Sequence, residues 1–136
     1  MQKIYSKSHN NKLLHMAYSK NDFSNRQDLL DPNEFIQLAS LELDQNQTFK
    51  PHKHKWKKTS FSKFIAQESW VVISGSVKVD YYDLDDSFIT SLILNEGDCT
   101  ITLDGGHNYT SLKQNTLVYE FKTGPYLGLE SDKEFL

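Results

Sequence analysis

The stretch Ser69-Trp70-Val71-Val72-Ile73-Ser74-Gly75-Ser76-Val77-Lys78-Val79-Asp80-Tyr81-Tyr82 carries the strongest strand signal in the chain. Its first part is aromatic and β-branched. Its second part alternates apolar Val77, Val79 and Tyr81 with polar Lys78 and Asp80, the period of a half-buried strand. Gly75-Ser76 between them predicts a tight turn. Toward the C-terminus, Asp83-Leu84-Asp85-Asp86 reads as an acidic hairpin turn, residues 88–94 as a strand, and Asn95-Glu96-Gly97-Asp98 as a turn. Thr100-Ile101-Thr102-Leu103 alternates again before the turn Asp104-Gly105-Gly106, and residues 110–112 and 116–121 complete the series. Toward the N-terminus, residues 35–43 end in alternation and residues 48–54 read as short and extended, with Pro51 marking an edge or a strand start. Strands at roughly ten-residue spacing argue for a sandwich or a barrel.

The first 34 residues are more polar and irregular. Leu13-Leu14-His15-Met16-Ala17-Tyr18 is apolar enough for a strand or one turn of helix, while Asn21-Asp22 and Asp31-Pro32-Asn33 read as turns. The expected organisation is therefore an N-terminal arm over residues 1–34, packed on the body of the protein or on a partner, and one β domain over residues 35–136.

At 136 residues one domain with a real core is expected, and eight Phe, seven Tyr and two Trp supply large, strand-favouring side chains for it. A formal net charge of −3 gives no overall footprint for nucleic acid or an anionic membrane. The single cysteine, Cys99, excludes an intrachain disulfide framework. Met1-Gln2-Lys3-Ile4-Tyr5-Ser6 lacks the apolar run of a signal peptide, and no stretch of about 20 apolar residues spans a bilayer. A cytoplasmic location is the expectation.

One constellation points to chemistry. His52 and His54 in Phe49-Lys50-Pro51-His52-Lys53-His54 project to one face if the segment is extended, because residues i and i+2 of a strand do so. Two imidazoles sharing a face can bind one divalent ion, which then accepts a carboxylate and a third imidazole from other strands. Glu68 and His107 are the candidates for those positions.

These residues resemble the two motifs of the cupin superfamily. The first motif is a Gly-led His-x-His, a Glu a few residues on, then six residues and a Gly; His52, His54, Glu68 and Gly75 match it, including the six-residue gap. The second is a Gly, five residues, Pro-x-Gly, two residues and a His; Gly97, Gly105 and His107 match, with Leu103 where the motif has Pro and His107 one residue early. Thirteen residues separate His54 from Glu68, a longer interval than the family pattern has. The ending Tyr119-Glu120-Phe121-Lys122-Thr123-Gly124-Pro125-Tyr126, with Asp132-Lys133-Glu134-Phe135, looks like that of small cupins of bacterial surface-polysaccharide gene clusters, the WbuC-like proteins among them.

The resemblance implies an all-β jelly-roll barrel, a divalent metal ion (zinc, iron, manganese or nickel) on His52, His54, Glu68 and His107, and a homodimer. It also implies a sugar or a nucleotide sugar as ligand. An isomerase or epimerase step on that ligand fits, oxygen chemistry with iron is a further possibility, and a non-catalytic saccharide-binding cupin is the alternative. Glu120 and Lys122 share one face of their strand; if it faces the barrel interior they are an acid/base carboxylate and an anion-binding ammonium, and otherwise a surface ion pair. Gln37 binds a ligand if it points inward and meets solvent if it does not. Tyr126 closes the barrel mouth or covers the core. The lysines at 53, 55, 57, 58 and 63 around Trp56, Phe61 and Phe64 attract a phosphate or form a solvated loop. Cys99 reads as a small buried apolar residue.

Overall fold

Gly75 takes φ +88°, and a Cβ there would collide with Thr116, so only glycine makes this bend without strain. The bend carries the chain from one sheet to another. It joins β5 (Glu68–Ser74) to β6 (Ser76–Tyr82), which pair with different neighbours instead of forming a hairpin. The computed structural model describes residues 1–55, 64–125 and 128–136. The other strands in it are β1 (Gln2–Tyr5), β2 (Leu13–Tyr18), β3 (Arg26–Asp28), β4 (Ala39–Leu41), β7 (Phe88–Asn95), β8 (Cys99–Thr102), β9 (Gly106–Ser111) and β10 (Leu117–Lys122). One helical turn, α1 (Leu129–Asp132), precedes the last residues.

The protein is all-β with antiparallel pairing throughout these ladders. Five strands form one sheet in the order β1-β2-β8-β5-β10, three form a second in the order β7-β6-β9, and β3 pairs with β4 alone. Among the described residues no ladder joins the two larger sheets into a closed barrel. Their facing sides bury one apolar cluster: Ile4, Ala17 and Val72 from the five-stranded sheet, and Val77, Val79, Tyr81 and Leu94 from the three-stranded one. The alternation of Val77, Val79 and Tyr81 read from the sequence is thus the inner face of β6. A second cluster, with Met16, Ile101, Cys99 and Leu103, lies on the other face of the five-stranded sheet under Leu30, Ile36 and Leu38.

Residues 1–34 contribute two members of the larger sheet. Leu14, His15 and Met16 of β2 have no exposed surface, because β2 lies between β1 and β8 with both faces covered. Residues 48–54 form no strand: the segment is exposed and irregular, and Pro51 offers no N–H for a ladder. Of the apolar run at 35–43 only Ala39–Leu41 pairs as a strand. The β6–β7 hairpin is the acidic turn expected at residues 83–86, closed by Asp83 N–H donating to the Ser87 carbonyl at 2.8 Å. Asp83 also anchors the N-terminal segment: its carboxylate accepts from Ser6 Oγ at 2.6 Å and from the Lys7 amide at 2.6 Å. Desolvation opposes its charge, but the hydrogen bonds, led by that of Ser6, hold the carboxyl far below the usual range. Among the described residues no helix is long and apolar enough to cross a membrane.

Candidate functional site

The register of the five-stranded sheet builds the site. Lys122 pairs with Glu68, Glu68 with Thr102, Thr102 with His15, and His15 with Ile4. Cross-strand partners share a face. A single row therefore runs from a lysine through a carboxylate, a hydroxyl and an imidazole to an aliphatic side chain of the core. The β8–β9 turn then crosses to the opposite sheet through Gly105, whose φ of +77° suits glycine and where a Cβ would lie 2.7 Å from the Tyr82 carbonyl oxygen. The crossing sets His107, on β9, over Glu68 and Thr102.

The contacts are specific. His107 Nε2 lies 3.2 Å from Glu68 Oε1, and His107 Nδ1 lies 2.8 Å from Thr102 Oγ1. The same Thr102 oxygen is 3.1 Å from His15 Nδ1, while His15 Nε2 is 3.2 Å from the Tyr82 carbonyl oxygen. On the outer side Lys133 Nζ is 3.6 Å from Glu68 Oε2. Burial works against ionisation of Glu68. The hydrogen bond and charge of His107, with the charges of Lys133 and Lys122, outweigh it and keep the carboxyl below its ordinary range. Beside the pair, the ring of Tyr109 stacks on Trp70 with centroids 3.9 Å apart. The Tyr109 hydroxyl is buried and has no hydrogen-bond partner among the described residues. Burial, and then the charge of Glu68, pushes this phenol up; the approach of Thr102 lowers it in part without reaching hydrogen-bond geometry.

A pocket of about 360 Å³ opens over this row. Glu68, Thr102, His107 and Lys122 line it together with Asp83, Asp86, Asp104, Lys133, Glu134 and Leu136. Five carboxylates thus face two lysines. Asp83 is committed to the N-terminal segment and Asp104 pairs with Lys12.

The eight residues singled out in the sequence fare differently. Glu68 and His107 meet, and Lys122 shares their pocket. Glu120 is exposed and accepts a hydrogen bond from Trp70 Nε1 at 3.2 Å. Gln37 is exposed and caps a local turn, its amide donating to the carbonyls of Glu34 at 2.7 Å and Asp31 at 3.0 Å. His52 and His54 face each other with ring centroids 5.3 Å apart in an exposed segment, and His52 Nδ1 donates to the Lys50 carbonyl. Tyr126 lies outside the described residues. Among the described residues no group of three or more His, Cys, Asp or Glu side chains converges to hold a metal ion. The expected four-donor set is brought together as one pair at the pocket and another on an exposed segment, an arrangement that does not fit a metal held by all four.

Thr102, His15, Tyr109 and Lys133 complete the site and were not singled out for it by sequence. The one available signal was His15 itself: a polar residue between Leu14 and Met16 points to the opposite face from both, toward the gap between the sheets. No family model matches the chain, and neither a curated protein nor a solved structure matches it.

Proposed function

We propose that this protein is a cupin-like binding protein for a small, hydroxyl-rich molecule, a sugar or the sugar end of a nucleotide sugar, in the pocket over Glu68 and His107. The observation that supports it most is the Glu68–His107 pair at 3.2 Å at the base of a pocket of about 360 Å³, within the range of small-molecule sites. The Glu68 carboxylate accepts from ligand hydroxyls, while Lys122 in the same pocket serves ring or carbonyl oxygens. The excess of carboxylates over lysines favours a neutral polyol here and leaves the phosphates of a nucleotide sugar outside. The resemblance to small cupins of surface-polysaccharide clusters supports the same ligand class and a homodimer, and the single cysteine, Cys99, suits a reducing, cytoplasmic location.

A second reading, an isomerase or epimerase step on the bound sugar, is favoured by the same pair. A carboxylate and an imidazole in direct contact can take and return a proton, with Lys122 beside them to stabilise developing negative charge. The metal-dependent form of either reading requires His52 and His54 to join Glu68 and His107.

Calorimetric titration of the untagged chain with neutral monosaccharides and nucleoside-diphosphate sugars tests the proposal. Saturable binding that Glu68→Gln weakens at least about tenfold supports it. Absence of binding across the panel, or binding indifferent to Glu68→Gln and His107→Gln, overturns it. A parallel titration with zinc separates the metal form, which requires micromolar binding lost in His52→Ala as well as in His107→Gln.

A further inference from the structure

We infer that His15, buried beneath the pocket, is a positioning residue: through Thr102 it keeps a proton on His107 Nδ1 and so leaves Nε2 to face Glu68 and the pocket. The inference rests on the reading of Glu68 and His107 as the ligand-facing pair.

The Tyr82 carbonyl oxygen can only accept, so His15 Nε2, 3.2 Å away, carries a proton and donates it. His15 has no exposed surface, and desolvation lowers its imidazole to about 4, so the ring is neutral and Nδ1 is an acceptor. The Thr102 hydroxyl has one proton, and at 3.1 Å from His15 Nδ1 that proton is donated there. Toward His107 the Thr102 oxygen then offers only lone pairs. At 2.8 Å from His107 Nδ1 it must receive a proton, which places hydrogen on Nδ1. The Tyr82 carbonyl fixes the first link, and this direction is the one in which His15 Nδ1, the Thr102 hydroxyl and His107 Nδ1 are all satisfied at once.

The consequence concerns the other nitrogen. With Nδ1 engaged below, Nε2 is the nitrogen turned to the Glu68 carboxylate at 3.2 Å, and a proton on Nε2 makes the hydrogen bond that holds Glu68. His15 touches neither Glu68 nor the ligand in this scheme. It acts by selecting how His107 is presented, as outer partners commonly orient functional histidines.

Long-range nitrogen–proton correlation spectra of the nitrogen-15-labelled full chain at neutral pH read the protonation of each ring nitrogen directly. His107 Nδ1 is expected to be protonated in the wild type and in Thr102→Ser. In Thr102→Val the buried Nδ1–H has no acceptor, and the protonated fraction falls from nearly full to minor. His15→Phe frees the Thr102 hydroxyl to donate to Nδ1, with the same result, and His15→Gln restores the wild-type spectrum by offering an amide donor to Tyr82 and an amide acceptor to Thr102. An unprotonated Nδ1 in the wild type, or identical His107 spectra in Thr102→Val and Thr102→Ser, overturns the inference. The Thr102 pair decides the matter if His15→Phe does not fold. The spectra need no ligand: an intact relay without sugar binding defeats the proposed function alone, and a wrong tautomer in a sugar-binding chain defeats the relay alone.

Discussion

His107 Nε2 sits 3.2 Å from Glu68 Oε1 and ties β9 of one sheet to β5 of the other. The carboxylate is held between His107 on one side and Lys133 on the other, so its charge is used by groups that converge on the pocket. Glu68→Gln keeps the shape and removes the charge. The expected outcome is a stability loss of roughly 1 kcal/mol, the scale of one charge-assisted hydrogen bond weakened to a neutral one. Sugar affinity falls at least about tenfold, equivalent to about 1.4 kcal/mol. Denaturant unfolding and calorimetric titration measure the two effects separately, and a stability loss with unchanged affinity would assign the pair to the fold instead of to the ligand.

His15 gives the protein an acid-sensitive element. Desolvation is the main cause that lowers its imidazole from 6.5 to about 4, with the Tyr82 carbonyl pulling the other way. The unfolded chain therefore binds a proton at a higher pH than the native one does. Stability is complete above the unfolded value and declines as pH falls toward about 4, where the loss levels off. Each pH unit of this shift is worth about 1.4 kcal/mol, so the interval holds roughly 3 kcal/mol. The lowered carboxyl of Glu68 adds a loss of the same sign at lower pH, below its ordinary value of 4.5. Urea unfolding across this range tests the point: His15→Gln, which does not titrate, should flatten the slope above pH 4.5, and an unchanged slope would place the acid sensitivity elsewhere.

What the sequence made legible follows from what periodicity encodes. Alternation at Val77, Val79 and Tyr81 announced β6 and alternation over residues 100–103 announced β8, while strand-favouring residues set between turn signals found β7 and β10 within a few residues. Partnership was not encoded: nothing about Gly75 says that β5 and β6 enter different sheets. β1 escaped because Ile4 is the only buried side chain in Gln2–Tyr5, too little for a pattern. Glu68 and His107 were brought together in the sequence only as two of the four metal ligands that the cupin resemblance implies; their direct contact depends on how β5 and β9 face each other across the two sheets. His52 and His54 do lie together, with ring centroids 5.3 Å apart, but on an exposed, proline-containing segment that forms no strand, and among the described residues they join no third ligand. The Thr102–His15 link depends on register between β2 and β8, which a single chain's pattern does not reveal.

The residues after α1 lie across the pocket. Lys133 reaches to within 3.6 Å of Glu68 Oε2, and Leu136 rests on Gly106, where an added Cβ would come within 2.7 Å of Leu136 Cδ1. Lys133 is 40% exposed, so its pairing with Glu68 is screened by water and contributes less than about 1 kcal/mol to stability. It nevertheless occupies the carboxylate that a ligand hydroxyl would use. Lys133→Ala is expected to leave the unfolding midpoint nearly unchanged and to tighten binding of a neutral sugar by up to about fivefold, the equivalent of about 1 kcal/mol. Titration of both proteins with the same sugar decides it, and weaker binding in the variant would show that Lys133 holds the ligand itself.

Among the described residues β10 is an edge strand of the five-stranded sheet, and its outward side chains Leu117, Tyr119 and Phe121 are 59%, 62% and 57% exposed. Ile73 of the neighbouring β5 adds a further 41% exposed side chain on the same face. A sheet edge with an apolar flank is a template for pairing with another chain, and proteins that stay monomeric usually place charges there. The proposed homodimer is therefore expected to use this edge, with Tyr119 and Phe121 buried on association. Phe121→Lys places a charge at the centre of that surface without touching the row from Lys122 to His15, whose side chains point to the other face. Light scattering over a concentration series should report a dimer for the wild type and a monomer for Phe121→Lys, with the two circular dichroism spectra superimposable. A wild type that remains monomeric at high concentration, or a variant that dimerises as tightly, rejects β10 as the contact and leaves its apolar flank without this explanation.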